Sequence, residues 1–393
     1  MSGATSDRAA ATTVTRPDGW NDAASGAGAY LLADAVFDGG QLRQGLALLL
    51  SGGLVEAIEA PVRLLPVWQT AGTISPGFVD LQVNGGGGVL FNNDPTPSGL
   101  LAIARAHRST GTAAILPTLI TDAPEVMERA ADALLHTLGQ EGLVGLHLEG
   151  PHLSLARRGT HAAVHVRPLD DRTLDVVARL RARGVPLMLT LAPEAVAPGQ
   201  IASLVGQGVV VALGHSDASC DQVRAALAEG AQTFTHLFNA MSQMSGREPG
   251  MVGAAIASDV YASFIADGIH VSPDMLRIAL RARPRPDRMI LVTDAMSTVA
   301  GPPDFRLYHQ TIRLKDGRLV NEEGALAGAH VTMLQSVRYA IEVLGTTPQD
   351  ALRMAVTYPA DLMGLATLHG LVGKDGQDVL LISPNWRQAE FLL

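Results

Sequence analysis

The feature that most constrains this chain is an alternation that runs from Ser75 to about Leu365. Short apolar runs are followed by amphipathic segments, over and over: AAILPTLIT at 113–121, LVGLHLEG at 143–150, then PLMLTLAP, VVVALGHS, TFTHLFNA, SFIADGIH and MILVTDAM. Near-continuous apolar strands alternating with helices indicate a parallel sheet covered on both faces. Between the strands the helical signals are local. Asp122 reads as an N-cap with Pro124 in the first turn of a helix reaching about Gly139, and a helix over 171–183 stops at Gly184. About eight such strands in one stretch predict a (β/α)8 TIM-like barrel, with a doubly wound open sheet as the runner-up. The polar residues argue for the barrel. Gln82, Asn84, Glu149, His215, His236, His270 and Asp294 all stand at the C-terminal ends of apolar runs, and only a barrel brings those ends to one face.

The two ends of the chain read differently. From Tyr30 to Ile74, apolar runs such as LALLL (46–50) and LVEAIEA (54–60) are separated by Gly-Gly pairs at 39–40 and 52–53, which are hairpin signals. From Gly370 onward DVLLI reads as a strand and SPNW as a turn. The expectation is a small β-sandwich built from both ends, residues 28–74 and 366–393, flanking a barrel over 75–365. Residues 1–27 are small and polar without the apolar run of a signal peptide, and read as a flexible tail. No apolar stretch is long enough for a transmembrane helix.

Composition narrows the chemistry. Hydrophobic residues make up 47% and the formal net charge is -9, without a basic block, which argues against nucleic acid or an anionic membrane as partner. A single cysteine, Cys220, stands against twelve histidines. One thiol fits a reducing cytoplasm, and any metal must be held by His and carboxylate. Glu149, His215 and His236 form such a set, one carboxylate and two imidazoles from separate strand ends, with open positions for water and substrate. Asp294, in LVTDAM, suits a proton shuttle beside that set. Arg247, in a Gly-rich loop, reads either as a bidentate contact for phosphate or carboxylate or as a surface partner of Glu248. Spacing alone does not choose among His147, His152 and His161 as the group that would polarise a carbonyl. The run GGGG at 85–88 lacks a nucleotide-loop pattern and reads as a tight turn at the barrel mouth.

The blocks PGFVDLQVNGGGG, LPTLIT, GLHLEGPHLSLARRGTH, LAPE, GHSDAS, THLFNAMSQMSGREPG, IADGIHV, LVTDAM and LAGAHVTM occur in that order from about Tyr30 to the C-terminus. Together they resemble the N-acetylglucosamine-6-phosphate deacetylases of the amidohydrolase superfamily. That resemblance implies a metal-dependent hydrolase barrel with a β-sandwich from both chain ends. It implies Glu149, His215 and His236 as metal ligands and Asp294 as acid/base. It implies substrate contacts from Thr160, His161, Asn239, Ala240, Arg247, Asp267, His270, Leu326, Ala327 and Gly328. His161 would polarise the acetyl carbonyl, while Arg247 and His270 would address phosphate and sugar, with a homodimer interface as one setting for that contact. Many amidohydrolases carry His-x-His after the first strand for a second metal. Here the position is Gln82-Val83-Asn84, and neutral amides are poor ligands, so one divalent ion is expected, zinc ahead of iron, manganese or cobalt. The implied reaction is hydrolysis of the acetamide of N-acetylglucosamine 6-phosphate. A deacetylase of another N-acyl amino sugar and a non-catalytic barrel scaffold are the competing readings. A cyclic-imide hydrolase is disfavoured, since such enzymes need the His pair and a bridging lysine.

Overall fold

The computed structural model describes Trp20, Gly26 and residues 28–393 other than 63 and 323. Apart from Trp20 and Gly26, the tail expected over 1–27 lies outside the described residues. The chain divides into two compact units, Phe78–Leu365 and the remainder, which joins the segment up to Gly77 with Ala366–Leu393.

The smaller unit contains a four-stranded sheet in the order Leu54–Glu59, Ala47–Ser51, Ala29–Leu32, Val67–Gln69, and a five-stranded sheet in the order Ala389–Phe391, Val379–Ile382, Thr73–Pro76, Ala35–Phe37, Leu42–Arg43. The run at 47–50 shows why the sheets pack. With a period of two, Leu48 and Leu50 join Val36, Ile74, Val379 and Leu381 in one core, while Ala47 and Leu49 point the other way and pack with Tyr30. Trp20, assigned to the tail from sequence, is 1% exposed and belongs to that first core.

The larger unit is the barrel. Its strands are β1 (Phe78–Val83), β2 (Thr112–Ile120), β3 (Leu146–Glu149), β4 (Leu187–Leu191), β5 (Val210–Leu213), β6 (Thr233–Phe234), β7 (Tyr261–Ile265) and β8 (Met289–Val292). Each pairs in parallel with the next. Just past its C-terminal end β8 returns to β1, where the Asp294 N–H donates to the Gln82 carbonyl at 3.0 Å and the Asn84 N–H to the Ala295 carbonyl at 2.8 Å. The covering helices are α1 (Pro97–Arg108), α2 (Pro124–Thr137), α3 (Asp171–Ala182), α4 (Gln200–Gly206), α5 (Cys220–Ala228), α6 (Gly250–Ala257), α7 (Pro273–Ala282) and α8 (Met333–Tyr339). Five of these, α1, α3, α5, α7 and α8, start on Ser, Thr or Asp caps, with full capping boxes at Ser219/Gln222 and Thr332/Gln335. Asp122 is not a cap. Position N-cap of α2 is Ala123, and the Asp122 carboxylate instead accepts from the Asn92 amide at 2.9 Å.

Between β8 and α8 lies an element the sequence reading did not isolate. Asp304–Leu307, Gln310–Lys315 and Arg318–Val320 form a three-stranded antiparallel sheet. Leu307, Ile312 and Leu319 of this insertion pack on Leu90, Ile120, Met296 and Ala327. Gly85–Gly86, the start of the glycine run, pairs with Val89–Leu90 across a turn at Gly87 and Gly88, both with positive φ.

Candidate active site

Three side chains converge at the C-terminal end of the strands. Glu149 ends β3, while His215 and His236 each lie two residues beyond β5 and β6. Glu149 Oε1 is 3.1 Å from His215 Nε2 and 2.9 Å from His236 Nε2, and the two Nε2 atoms are 3.1 Å apart. All three residues are buried, at 2%, 5% and 3% exposure. Ligands held about 2.0–2.1 Å from a tetrahedral zinc ion lie roughly 3.3 Å from one another, so the triangle has the dimensions of a metal site. The donor chemistry agrees. His215 Nδ1 lies 2.9 Å from the Arg157 carbonyl, which can only accept, so that nitrogen carries the proton and Nε2 offers its lone pair inward. The Glu149 carboxyl is pushed up by burial, but the hydrogen bonds and charges of His215 and His236 outweigh this and hold it well below the usual range. The residues present therefore fit a divalent cation.

Backbone strain marks the same places. His215, His236 and Asp294 have φ of 48°, 34° and 52°, the left-handed region that costs a non-glycine residue on the order of 1 kcal/mol or more. At each, the chain leaves the barrel two residues after its strand and turns sharply, which aims the side chain over the barrel mouth.

Asp294 faces this triangle. Its Oδ1 accepts from Gln82 Nε2 at 3.1 Å and from Asn84 Nδ2 at 2.6 Å, and Gln82 Nε2 also donates to Glu149 Oε1 at 3.1 Å. Gln82 thus bridges the two carboxylates, while Asn84 holds Asp294 alone. Burial first, and then the Glu149 charge, pushes the Asp294 carboxyl up to about 6.

These groups open into one cavity of about 170 Å³, lined by Glu149, His215, His236 and Asp294 together with Thr160, His161, Asn239, Ala240, His270, Leu326 and Gly328. Of the three histidines near Glu149, only His161 lines it. His147 is locked between Thr118 and Thr190 inside the barrel, and the buried His152 lies against the Arg167 carbonyl. His161 Nδ1 receives the Thr121 N–H at 3.3 Å and lies 2.8 Å from the Thr121 hydroxyl. Burial above all lowers its pKa to about 3, so the ring is neutral.

Three residues expected at the substrate do not line the cavity. Ala327 is wholly buried in the insertion core, while its neighbours Leu326 and Gly328 line the cavity. Asp267 lies behind His270, its Oδ2 2.6 Å from His270 Nδ1 and its Oδ1 accepting the N–H groups of Ile269 and His270. Arg247 is exposed on its loop. Glu248, its alternative partner, spends its carboxylate on the N–H groups of Cys220 and Gly250. Conversely the cavity has apolar walls from Ile120, Ile265 and Met296 that sequence reasoning did not single out. Their only signal was membership of strands or of LVTDAM.

With that geometry in view, comparison with known proteins is decisive. A model of the amidohydrolase family matches residues 73–377. The chain belongs to the amidohydrolase family. This amidohydrolase is 41% identical over 345 residues to an N-acetylgalactosamine-6-phosphate deacetylase of Shewanella sp., covering 85% of this chain and 87% of that one. It is 32% identical over 352 residues to an N-acetylglucosamine-6-phosphate deacetylase of Haemophilus influenzae, covering 87% and 91%. Among solved structures, the N-acetylglucosamine-6-phosphate deacetylase of Pasteurella multocida superposes with a TM-score of 0.85 at 31% identity, covering 92% and 97%. A Mycobacterium smegmatis N-acetyl-D-glucosamine-6-phosphate deacetylase mutant, solved with N-acetyl-D-glucosamine 6-phosphate, gives 0.84 at 32% identity, covering 94% and 100%. Among the described residues, no helix of the amidohydrolase is long and apolar enough to cross a membrane.

Proposed function

We propose that this amidohydrolase hydrolyses the acetamide of N-acetyl-D-glucosamine 6-phosphate to D-glucosamine 6-phosphate and acetate. The observation that carries the reading is the single cavity on which the Glu149–His215–His236 triangle, Asp294 and His161 all open. Glu149, His215 and His236 hold one divalent ion, zinc first among zinc, iron, manganese and cobalt. Bound there, such an ion supplies Lewis acidity, making water nucleophilic at neutral pH and drawing electrons from a carbonyl.

The chain's own groups do the rest. Both amides donate to Asp294 Oδ1, so Oδ2 is the oxygen for proton transfer. Asp294 takes a proton from the attacking water and returns it to the departing amine, the double duty of a general base and then a general acid. Because His161 Nδ1 accepts the Thr121 N–H, the ring proton sits on Nε2. That N–H is the donor to the acetyl oxygen, which gathers charge as the carbonyl becomes tetrahedral. His270, braced by Asp267, with Thr160, Asn239, Ala240, Leu326 and Gly328, contacts the sugar. Arg247 meets the phosphate in a homodimer, where its loop is covered by the second copy. A phosphosugar substrate and the single thiol support a cytoplasmic setting.

A second reading concerns the sugar. The Shewanella relative at 41% identity is named for the galactosamine epimer, so acetate release should be compared on both 6-phosphates, with and without chelator. The proposal expects chelator-sensitive release that is faster on the glucosamine substrate. Preference for the galactosamine epimer would transfer the assignment to it, and no release from either would reject the deacetylase.

A further inference from the structure

Tyr308 sits at an unexpected place. It is the first of two residues, Tyr308 and His309, that turn the chain between Asp304–Leu307 and Gln310–Lys315, with Leu307 paired to Gln310. Its φ is 53°. In a two-residue hairpin turn the position with positive φ is ordinarily taken by Gly, Asn or Asp, and a bulky residue there is strained. The side chain shows what the strain is spent on. The Tyr308 hydroxyl donates to the Thr121 carbonyl at 2.5 Å, and its oxygen lies toward the Ala162 backbone, which opposes the rise that burial imposes on the phenol. Thr121 is the residue whose N–H and hydroxyl contact His161 Nδ1, and Ala162 follows His161 in the chain. One phenol therefore joins both backbone segments on which the His161 orientation depends. The insertion that carries it is fastened independently, by its apolar core and by the Asn93 amide donating to the Arg306 carbonyl at 2.7 Å.

The geometry points to Tyr308 as a positioning residue. Through Thr121 and Ala162 it holds His161 in one orientation and one tautomer, Nδ1 accepting and Nε2–H facing the cavity. The physical reason is that the Thr121 N–H can fix the tautomer only while it stays in line with Nδ1. At 3.3 Å that bond has little slack, and the phenol pins Thr121 through its carbonyl. The inference rests on the proposed role of His161 for its effect on rate, but not for the tautomer itself.

The test uses Tyr308→Phe, which removes only the hydroxyl, with Tyr308→Gly as a second variant that also relieves the turn. In the metal-free protein, imidazole nitrogen chemical shifts should report His161 as a single Nε2–H tautomer in the wild type and as an exchanging mixture in both variants. In the metal-loaded enzyme kcat should fall roughly tenfold, with KM within about twofold. A purely structural role would lower the urea midpoint while leaving both the His161 signals and kcat unchanged, and that result would overturn the proposal. If the wild type releases no acetate, the deacetylase reading fails while the nitrogen shifts still decide whether Tyr308 sets the tautomer.

Discussion

The two walls of the cavity are built differently. On one, Glu149, His215, His236 and Asp294 stand at or just past the ends of strands, tied to one another and to Gln82 and Asn84 by hydrogen bonds of 2.6–3.1 Å. On the other, Thr160, Asn239, Ala240 and Leu326 ride on loops and are partly exposed, and Arg247 is further out still. A barrel holds strand ends to a fraction of an ångström because each is hydrogen-bonded to two neighbours, whereas loops are placed by their own local contacts. The difference implies a division of labour. In the proposed mechanism the strand wall performs bond breaking and depends on exact placement, and the loop wall selects what enters.

That division can be broken by substitution. Asp294→Asn keeps size and hydrogen-bonding capacity but removes the base. It should cost kcat about a thousandfold while bound metal stays at wild-type level. Activity near wild type with metal still bound would remove Asp294 from the chemistry and undo the strand half of the comparison. Arg247→Ala should act on the loop half alone, raising KM for the phosphosugar roughly ten- to a hundredfold, as expected for loss of a charge-assisted phosphate contact, with little change on an unphosphorylated analogue. Equal effects on both compounds would mean that Arg247 does not read phosphate.

The smallest expected effect concerns the scaffold beneath the strand wall. Burial lowers His107, His147 and His152 from the ordinary 6.5 to about 4. Below pH 6.5 the unfolded chain binds protons that the folded one refuses, so the stability these histidines contribute is complete above 6.5 and is lost as pH falls toward 4. Asp80 works against this. Burial pushes its carboxyl up to about 7 despite the Thr293 hydroxyl, so the folded state takes up that proton first and gains as pH falls from 7 to 3.8. Three groups against one leave a net loss, and the urea midpoint should drop between pH 6.5 and 4, less steeply in His107→Gln. A midpoint that rises with acid would mean that these histidines are not buried as neutral rings.

The same contrast governs what could be read from sequence. The strand ends were legible because apolar runs of four to six residues terminate in a single polar residue, and a barrel gathers all such ends. The left-handed backbone at His215, His236 and Asp294 was not legible, since no glycine or asparagine marks it. Gln82 and Asn84 could be read as unsuited to a second metal, but not as donors to two carboxylates. On the loop wall less was visible. Nothing in the spacing distinguished His161 from His147 or His152, or showed Asp267 behind His270. The 304–320 insertion had one sequence signal, the Asp316-Gly317 turn. The position of Tyr308 in a strained turn left no signal, because such turns are recognised by the residues that Tyr308 replaces.

The central claim is that the triangle of Glu149, His215 and His236 holds the ion that the hydrolysis needs. It is tested most directly by measuring metal content and acetate release on the same preparations of wild type and Glu149→Gln, before chelation, after it, and after zinc is restored. The account predicts about one divalent ion per wild-type chain, loss of metal and acetate release together on chelation, recovery of both with zinc, and neither in Glu149→Gln. Undiminished acetate release from metal-free wild type, or a full complement of metal in an inactive Glu149→Gln, would contradict it.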